Sequence, residues 1–418
     1  MNILMFTNTF TPHVGGVARS AQQFSAEFRR LGHRVLVVAP EFPEPIERET
    51  AVVRIPALQQ FNGSDFSIAV PIPGFLNGTV REFQPDVVHT HHPFVLGDTA
   101  LRFAAKYDIP IVFTHHTQYE KYTHYVPGDS PAMQRFAVEL AVGYCNLCDA
   151  VIAPSETIQT RLQSQGVCVP VWPIPTGVDT LLFGSGDGAS ARARYGIPKR
   201  QFIVGHVGRL APEKGLEFLA IAVADFIRQH GDACFLVAGA GPSEDVIKAE
   251  FARRGVADRL IFTGQLDRAE LADAYAVMDV FAFASQSETQ GMVLTEAMAA
   301  GTPVVAVDAP GVREVLKSME NGILLDKEDR ELFVQAMDTV AHLSPQAYLA
   351  LSRGARQTAQ EFSIESTAEI AIALYERLIQ AGAVRHRDLS PWAVAQRRIH
   401  QEWLLWSNVA SAFSHSRN

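Results

Sequence analysis

The sequence predicts an α/β protein of two doubly wound parallel-sheet domains facing a central cleft. Three observations carry that prediction. Short apolar, β-branched runs alternate with amphipathic stretches of helical length, the signature of parallel βαβ units. The alternation pauses at a Pro- and Gly-rich stretch, VPVWPIPTGVDTLLFGSGDG (residues 169–188), and then restarts. The chain has 418 residues, 47% of them hydrophobic, which suffices for about two to three domains with large cores and no disulfide or metal staples.

The first Rossmann-like domain is expected over residues 1–176. Its apolar runs predict strands at 2–7, 34–39, 86–90, 109–114 and 150–154, and its amphipathic stretches predict helices at 17–31, 96–106, 131–146 and 156–165. Residues 169–188 read as a linker with a hinge over 173–179. The second domain is expected over 177–382, with strands at 202–207, 234–238, 260–263, 280–284 and 303–307. Its helices are predicted at 216–229, 243–253, 268–277, 292–300 and 331–341. Two such domains place their ligand-binding strand ends across a cleft. A third segment, 383–418, has apolar residues at Trp392, Ala395, Ile399, Trp403, Trp406, Ala410 and Phe413, a helical stripe at steps of three and four.

The formal charge of −9 argues against a general nucleic-acid binder, which needs a basic footprint. Four cysteines exclude a disulfide scaffold and fit a reducing compartment. The N-terminus has no basic region before its apolar run, and no window approaches 18 uninterrupted apolar residues, so a cytoplasmic protein is expected, soluble or lying on the inner membrane face. Residues 1–180 carry 12 basic and 16 acidic groups and 181–382 carry 19 and 27, whereas 383–418 carry 5 and 2. The tail is thus a small basic segment on an acidic body, and it holds three of the four tryptophans.

Three motifs sit at strand ends. Thr11-Pro12-His13-Val14-Gly15-Gly16-Val17 follows the first strand and opens a helix. Its glycines read either as a tight turn or as a turn that lets backbone amides approach a phosphate. Gly205-His206-Val207-Gly208-Arg209-Leu210-Ala211-Pro212-Glu213-Lys214-Gly215 places an Arg and a Lys where both can converge on a diphosphate. The third is Ser287-Glu288-Thr289-Gln290-Gly291-Met292-Val293-Leu294-Thr295-Glu296. There Gly291 opens a helix whose amides can hold a phosphate, and the two carboxylates can accept hydrogen bonds from sugar hydroxyls.

Glu288 and Glu296, with Arg209, Lys214 and Gly15-Gly16, make the chain resemble the retaining glycosyltransferases of family 4, over most of residues 1–380. The resemblance implies the GT-B fold and no required cofactor. The substrate it implies is a nucleotide-diphosphate-sugar donor such as UDP-glucose. Gly15 and Gly16 are then expected at the distal phosphate, with Gly208, Arg209 and Lys214 at the diphosphate. Glu288 is expected at the sugar hydroxyls and Glu296 at the ribose. The Gly291, Met292, Val293 and Leu294 backbone is expected to close on phosphates and sugar, and the segment ending at Leu266 to contact the base. The Thr114-His115-His116-Thr117 segment aligns His116 beside the donor sugar, with His115 exchanged for it by a slip of one residue. His13, Tyr119 and Tyr122 are expected near acceptor or sugar.

His89, His91, His92, His115 and His116 end neighbouring strands and could chelate a metal, but no carboxylate recurs at ligand spacing, so no metal is expected. Cys145-Asn146-Leu147-Cys148 lacks a second pair and reads as two small apolar residues at a helix end.

The segments 92–97 and 114–127 and the Glu288-Thr289-Gln290-Gly291 version of the motif are similar to the diacylglycerol α-glucosyltransferase branch. That similarity implies a hexose, glucose first, transferred with α linkage to diacylglycerol or a related lipid. The same fold acting on a soluble sugar or sugar phosphate is the alternative. A nucleotide-sugar epimerase and a non-catalytic sugar-nucleotide or membrane-binding protein are the readings of another class. The Trp-rich tail is expected either to cross back onto the first domain or to lie on an anionic membrane surface. The sequence sets no oligomeric state.

Overall fold

The computed structural model describes the whole chain except residues 14, 43–49, 59–67, 71, 73, 122–129, 287, 289, 384–390 and 417–418. It divides into two compact units, Met1–Gly177 with Glu365–Asn418, and Val178–Ile364.

The first unit runs β1 (Asn2–Phe6), α1 (Gly16–Arg30), β2 (Arg34–Pro40), β3 (Val52–Ile55), β4 (Ala57–Leu58), β5 (Ile68–Ala69), α2 (Asn77–Phe83), β6 (Val87–Thr90), α3 (Leu96–Tyr107), β7 (Ile111–Thr114), α4 (Pro131–Asn146), β8 (Ala150–Ala153), α5 (Glu156–Ser164) and β9 (Val171–Pro173). Seven of these strands form one parallel sheet in the order β3-β2-β1-β6-β7-β8-β9. The inner strands β6, β7 and β8 are fully buried runs because helices cover both faces, as all-parallel sheets require, whereas the edge strands β3 and β9 are only partly buried.

The second unit runs α6 (Thr180–Gly184), α7 (Gly188–Arg194), β10 (Phe202–Val207), α8 (Leu216–His230), β11 (Ala233–Ala238), α9 (Glu244–Arg253), β12 (Leu260–Gly264), α10 (Arg268–Val277), β13 (Val280–Phe283), α11 (Met292–Ala300), β14 (Val304–Val307), β15 (Gly322–Leu325), α12 (Arg330–Ala341) and α13 (Pro345–Glu361). Its six strands are parallel, ordered β12-β11-β10-β13-β14-β15. Alternate residues of β13 feed separate cores: Phe281 and Phe283 pack on one face, Val280 and Ala282 on the other.

In each sheet the strand order reverses once, at β1/β6 and at β10/β13. There the connections leave in opposite directions and open a crevice at the carboxyl ends of the strands. The predicted strands and helices stand within a few residues of their predicted bounds, and β3, β9 and β15 are additions at sheet edges.

Two expectations need correcting. The stretch 169–188 is not a plain linker. It supplies β9, an edge strand where Pro173 costs no ladder bond, and α6, capped by the Asp179 side chain on the Leu182 amide. The second unit also ends at Ile364, not at 382. Helix α14 (Ile364–Ala383) belongs with the first unit from Glu365 onward because its apolar face is spent there. Tyr375 is fully buried, its hydroxyl 2.8 Å from His89 Nδ1 and its ring 5.7 Å from Phe28, while Arg377 lies over Trp172. Helix α15 (Pro391–Ser416) follows and packs on α3 and α4 of the same unit.

Candidate active site

At the β10/β13 reversal the loop after β10 delivers Arg209 and Lys214, and the loop after β13 delivers Glu288 and Gly291. Lys214 Nζ donates to Glu288 Oε1 at 2.5 Å, each side chain 18% exposed. Ser285 Oγ donates to the same oxygen at 3.0 Å. Burial alone would raise the Glu288 pKa. The Lys214 charge and the hydrogen bonds from Lys214 and Ser285 outweigh it and hold the carboxyl below its usual range. His206, stacked on Phe281 and Phe283, bonds the Ala282 carbonyl through Nδ1 at 3.1 Å. Burial pushes its pKa down to about 4, so the ring is neutral at pH 7. Arg209 pairs with Glu213 at 2.6 Å on the exposed side of the loop.

Helix α11 starts at Gly291, whose φ of +72° lies in the left-handed region. A Cβ there would stand 3.0 Å from Leu294 Cδ1. The helix has no side-chain cap and no acid in its first turn, and neither does α1 behind Gly15. By contrast α4, α5, α7, α10, α12 and α13 each begin with a Ser or Asp side chain accepting a backbone amide. Four helices leave the sheet reversals without a side-chain cap, α1, α3, α8 and α11, but α3 and α8 carry Asp98 and Glu217 in their first turns; α1 and α11 have neither cap nor acid, the arrangement that receives an anion.

Met292 and Val293 are partly buried in the first turn of α11, and Leu294 is fully buried. Glu296 is only 1% exposed and accepts a hydrogen bond from Tyr275 at 2.8 Å. Gly208 donates its amide to Ala238 O at 3.0 Å, and Leu266 lies just past β12, partly buried against the core.

One feature of this reversal escaped the sequence reading. A Cβ on Gly239 would meet Gly208 O at 1.9 Å, so the backbones after β10 and β11 touch directly. The available signal was Gly239-Ala240-Gly241 at a strand end. Ser285 and Tyr275, which donate to Glu288 and Glu296, carried no motif signal.

In the first unit Gly15 and Gly16 lead α1 from β1. A Cβ on Gly15 would lie 3.1 Å from His13 Nε2, whereas one on Gly16 would meet nothing within 4 Å. His116 stacks on His91 with 2.9 Å between His91 Nδ1 and His116 Nε2. His115 is 7% exposed and edge-on to Phe113 and Tyr119. His92 Nδ1 accepts the Asn8 amide at 3.0 Å, and His89 is held between Thr114 and Tyr375. Burial lowers all five pKa values, to about 3 for His89 and His92 and about 4 for His115. Val95, before α3, has φ +60°, a conformation β-branched residues rarely adopt. Tyr122 lies outside the described residues.

The three His or carboxylate ligand atoms that the described residues bring within 4.8 Å of one another belong to His230 at the end of α8, Asp338 on α12 and His342 just past it, not to the strand-end histidines. Cys145 and Cys148 are buried, and burial pushes both thiols up, Cys145 to about 12. Among the described residues no helix is long and apolar enough to cross a membrane.

Comparison with known proteins gives two family matches. Residues 14–181 match Glycosyltransferase Family 4, and residues 188–358 match Glycosyl transferases group 1. An alpha-monoglucosyldiacylglycerol synthase of Streptococcus pneumoniae is 31% identical over 78% of this chain and 75% of its own length. A GDP-mannose-dependent alpha-mannosyltransferase of Mycolicibacterium smegmatis is 33% identical over 82% of this chain and 88% of its own. Among solved structures, sucrose-phosphate synthase from Thermosynechococcus elongatus has a TM-score of 0.74 at 22% identity, covering 91% of this chain and 99% of that one.

Proposed function

The chain belongs to the GT-B glycosyltransferases of family 4 and group 1, and from that premise we propose that it moves glucose from UDP-glucose to diacylglycerol or a related lipid, with retention, at a membrane surface. The observation that carries the site is the Lys214–Glu288 pair at the β10/β13 reversal, in front of the uncapped N-terminus of α11. A diphosphate there meets two cations, Arg209 and Lys214, and the N-terminal amides of α11. Glu288 accepts sugar hydroxyls and Glu296 the ribose, with Gly208 and the segment to Leu266 lining the nucleotide. Gly15 and Gly16, at the start of α1, are the first unit's own candidates for binding a phosphate.

In this reading the acceptor hydroxyl attacks the anomeric carbon on the face the diphosphate vacates. The C–O bond to the diphosphate breaks as the new glycosidic bond forms, and a leaving phosphate oxygen takes the acceptor proton. The charge that develops on that oxygen is met by Arg209, Lys214 and the helix amides, an electrostatic form of catalysis. Glu288, held ionised by Lys214, acts by hydrogen bonding and not as a base. His116 supports the sugar. What favours it over His115 is exposure: His115 is buried edge-on between aromatic rings, while His116 is partly exposed and braced by His91. His13 and Tyr119 stand at the same strand ends.

A second reading has its own support, since a GDP-mannose-dependent relative is 33% identical. One experiment separates the two. Purified protein is offered UDP-glucose, UDP-galactose and GDP-mannose with diacylglycerol in mixed micelles, and products are identified by mass and NMR. An α-glucosyl lipid is expected. An α-mannosyl lipid selects the second reading, and inversion at the anomeric carbon sinks the mechanism.

A further inference from the structure

Helix α15 is apolar on two opposite faces. Its inner face is spent on the first unit: Leu405 and Ala412 are buried, Asn408 Nδ2 donates to Leu140 O at 3.2 Å, and Arg397 Nε donates to Ala105 O at 3.0 Å. Gly143 on α4 leaves the room for this contact, since a Cβ there would lie 1.7 Å from Asn408 Oδ1. The outer face carries Ile399, Trp403 and Trp406, which are 72%, 63% and 72% exposed. Spacings of four and three set these side chains along one line pointing away from the unit. A protein seldom leaves two tryptophans outward on a helix that is already anchored, because each presents a large apolar surface to water.

Cations stand beside that line. Lys106, at the end of α3, donates to Asn77 at 2.6 Å and lies close enough to Arg398 and Arg81 that their charges add to burial in lowering its pKa. Three helices thus contribute one cation each to a cluster next to the tryptophans. Arg102 and Glu402, by contrast, neutralise each other at 2.6 Å.

We propose that the outer face of α15, with Arg81, Lys106 and Arg398 at its edge, is a docking surface for an anionic lipid bilayer. This deepens the lipid-acceptor reading and rests on it for the choice of occupant. Charge complementarity favours that occupant. Tryptophans with basic flanks suit the level of lipid headgroups, whereas a second copy of this chain docked through the same face would set this cation cluster against itself. Docking here would hold the first unit, expected to bind the acceptor, against the surface that stores it.

The test uses the full chain with vesicles of phosphatidylcholine alone or mixed with phosphatidylglycerol, read by flotation. Binding to the anionic vesicles is expected to be about 10-fold or more tighter, as for a few cations near a charged surface. Trp403→Ala/Trp406→Ala should weaken it about 10-fold or more while the melting temperature holds, because neither ring is packed inside, and Arg398→Glu should erase the preference for phosphatidylglycerol. Transfer to diacylglycerol in detergent micelles should survive the double substitution. Failure of the wild type to float, or equal flotation of the double variant, overturns the proposal. So does a concentration-dependent dimer that the double variant abolishes with flotation unchanged. Flotation through these tryptophans by an enzyme that glycosylates only soluble sugars would refute the lipid acceptor and leave the surface standing.

Discussion

Replacing Lys214 by Met removes the ammonium that donates to Glu288 and leaves Ser285 donating to the same carboxylate oxygen. Breaking a fully buried ion pair on one side costs about 3–5 kcal/mol, and an exposed pair about 0–1. With both side chains 18% exposed, a loss of about 2 kcal/mol follows, or roughly 4–8 °C in the melting temperature of a unit of this size. The pH dependence is more diagnostic than the size. In the wild type the folded-state pKa of Glu288 is depressed, so its contribution is present above the unfolded value and is lost as pH falls through the folded one. Without Lys214, burial is the dominant influence and the folded pKa rises above the unfolded value. The carboxyl then destabilises the fold increasingly as pH rises through that raised value. The gap between the proteins should therefore be widest near pH 8 and close toward pH 4. Calorimetry of both proteins and of Lys214→Arg across that range is the measurement, with the Arg variant recovering most of the loss. A melting offset that is constant with pH would refute the reasoning, since it would mean that Lys214 contributes packing and not charge.

Three further outcomes follow from the same kind of accounting. Gly291→Ala should cost about 1–2 kcal/mol in a denaturant titration, because its φ of +72° is strained for a residue with a Cβ, and Gly291→Asn should cost less. Asp98, whose pKa burial raises to about 6 against the pull of Arg102, loses stability as pH rises from its unfolded value through about 6. Asp98→Asn should accordingly stabilise the protein by about 1–2 kcal/mol at pH 8 and be neutral at pH 4, read from melts at both. The first unit's histidines run the other way: with folded values near 3 to 4 for His89, His92 and His115, their contribution is present above the unfolded value near 6.5 and is lost on acidification below it. Replacing His89 and His92 by Gln should flatten the acid limb of the stability profile between pH 6.5 and 4, whatever it does to the plateau.

Periodicity made the interior of each sheet legible. Runs such as FIVGHV and ACFLVA are buried on both faces and have one reading as strands. It failed at the edges. β9 and β15 are short and carry Pro or Gly, so the composition that signals a loop also suits an edge strand. The end of the second unit was hidden for a different reason. Nothing local to Ile364 marks a change of allegiance, since α14 is decided by where its apolar face finds a partner, through Tyr375 against His89 and Phe28. The candidate site was legible where backbone conformation demands a residue type, as at Gly291, or where charge alternates over a few positions, as at Arg209–Lys214. It was illegible where a side chain works on another side chain far along the chain. Ser285 on Glu288, Tyr275 on Glu296 and His91 on His116 are ordinary residues until the fold brings them together.

The two cations of the β10/β13 reversal stand already matched, Lys214 by Glu288 and Arg209 by Glu213. A diphosphate entering there must compete with carboxylates for the charges that are to bind it. The Lys214 match cannot be removed without removing the group proposed to hold the sugar. The Arg209 match can, because Glu213 has no other part in the reading. Arg209 is 42% exposed, so the pair is worth about 0.3–0.5 kcal/mol, and Glu213→Gln should tighten binding of a nucleoside diphosphate about twofold. The gain should vanish in an Arg209→Ala background, which itself weakens binding. Titration calorimetry of the four proteins closes the cycle. Equal gains in both backgrounds would make Glu213 a general repulsive charge and would take Arg209 out of the diphosphate site. Weaker binding by Glu213→Gln would mean that the carboxylate positions Arg209 for the ligand and does not compete for it.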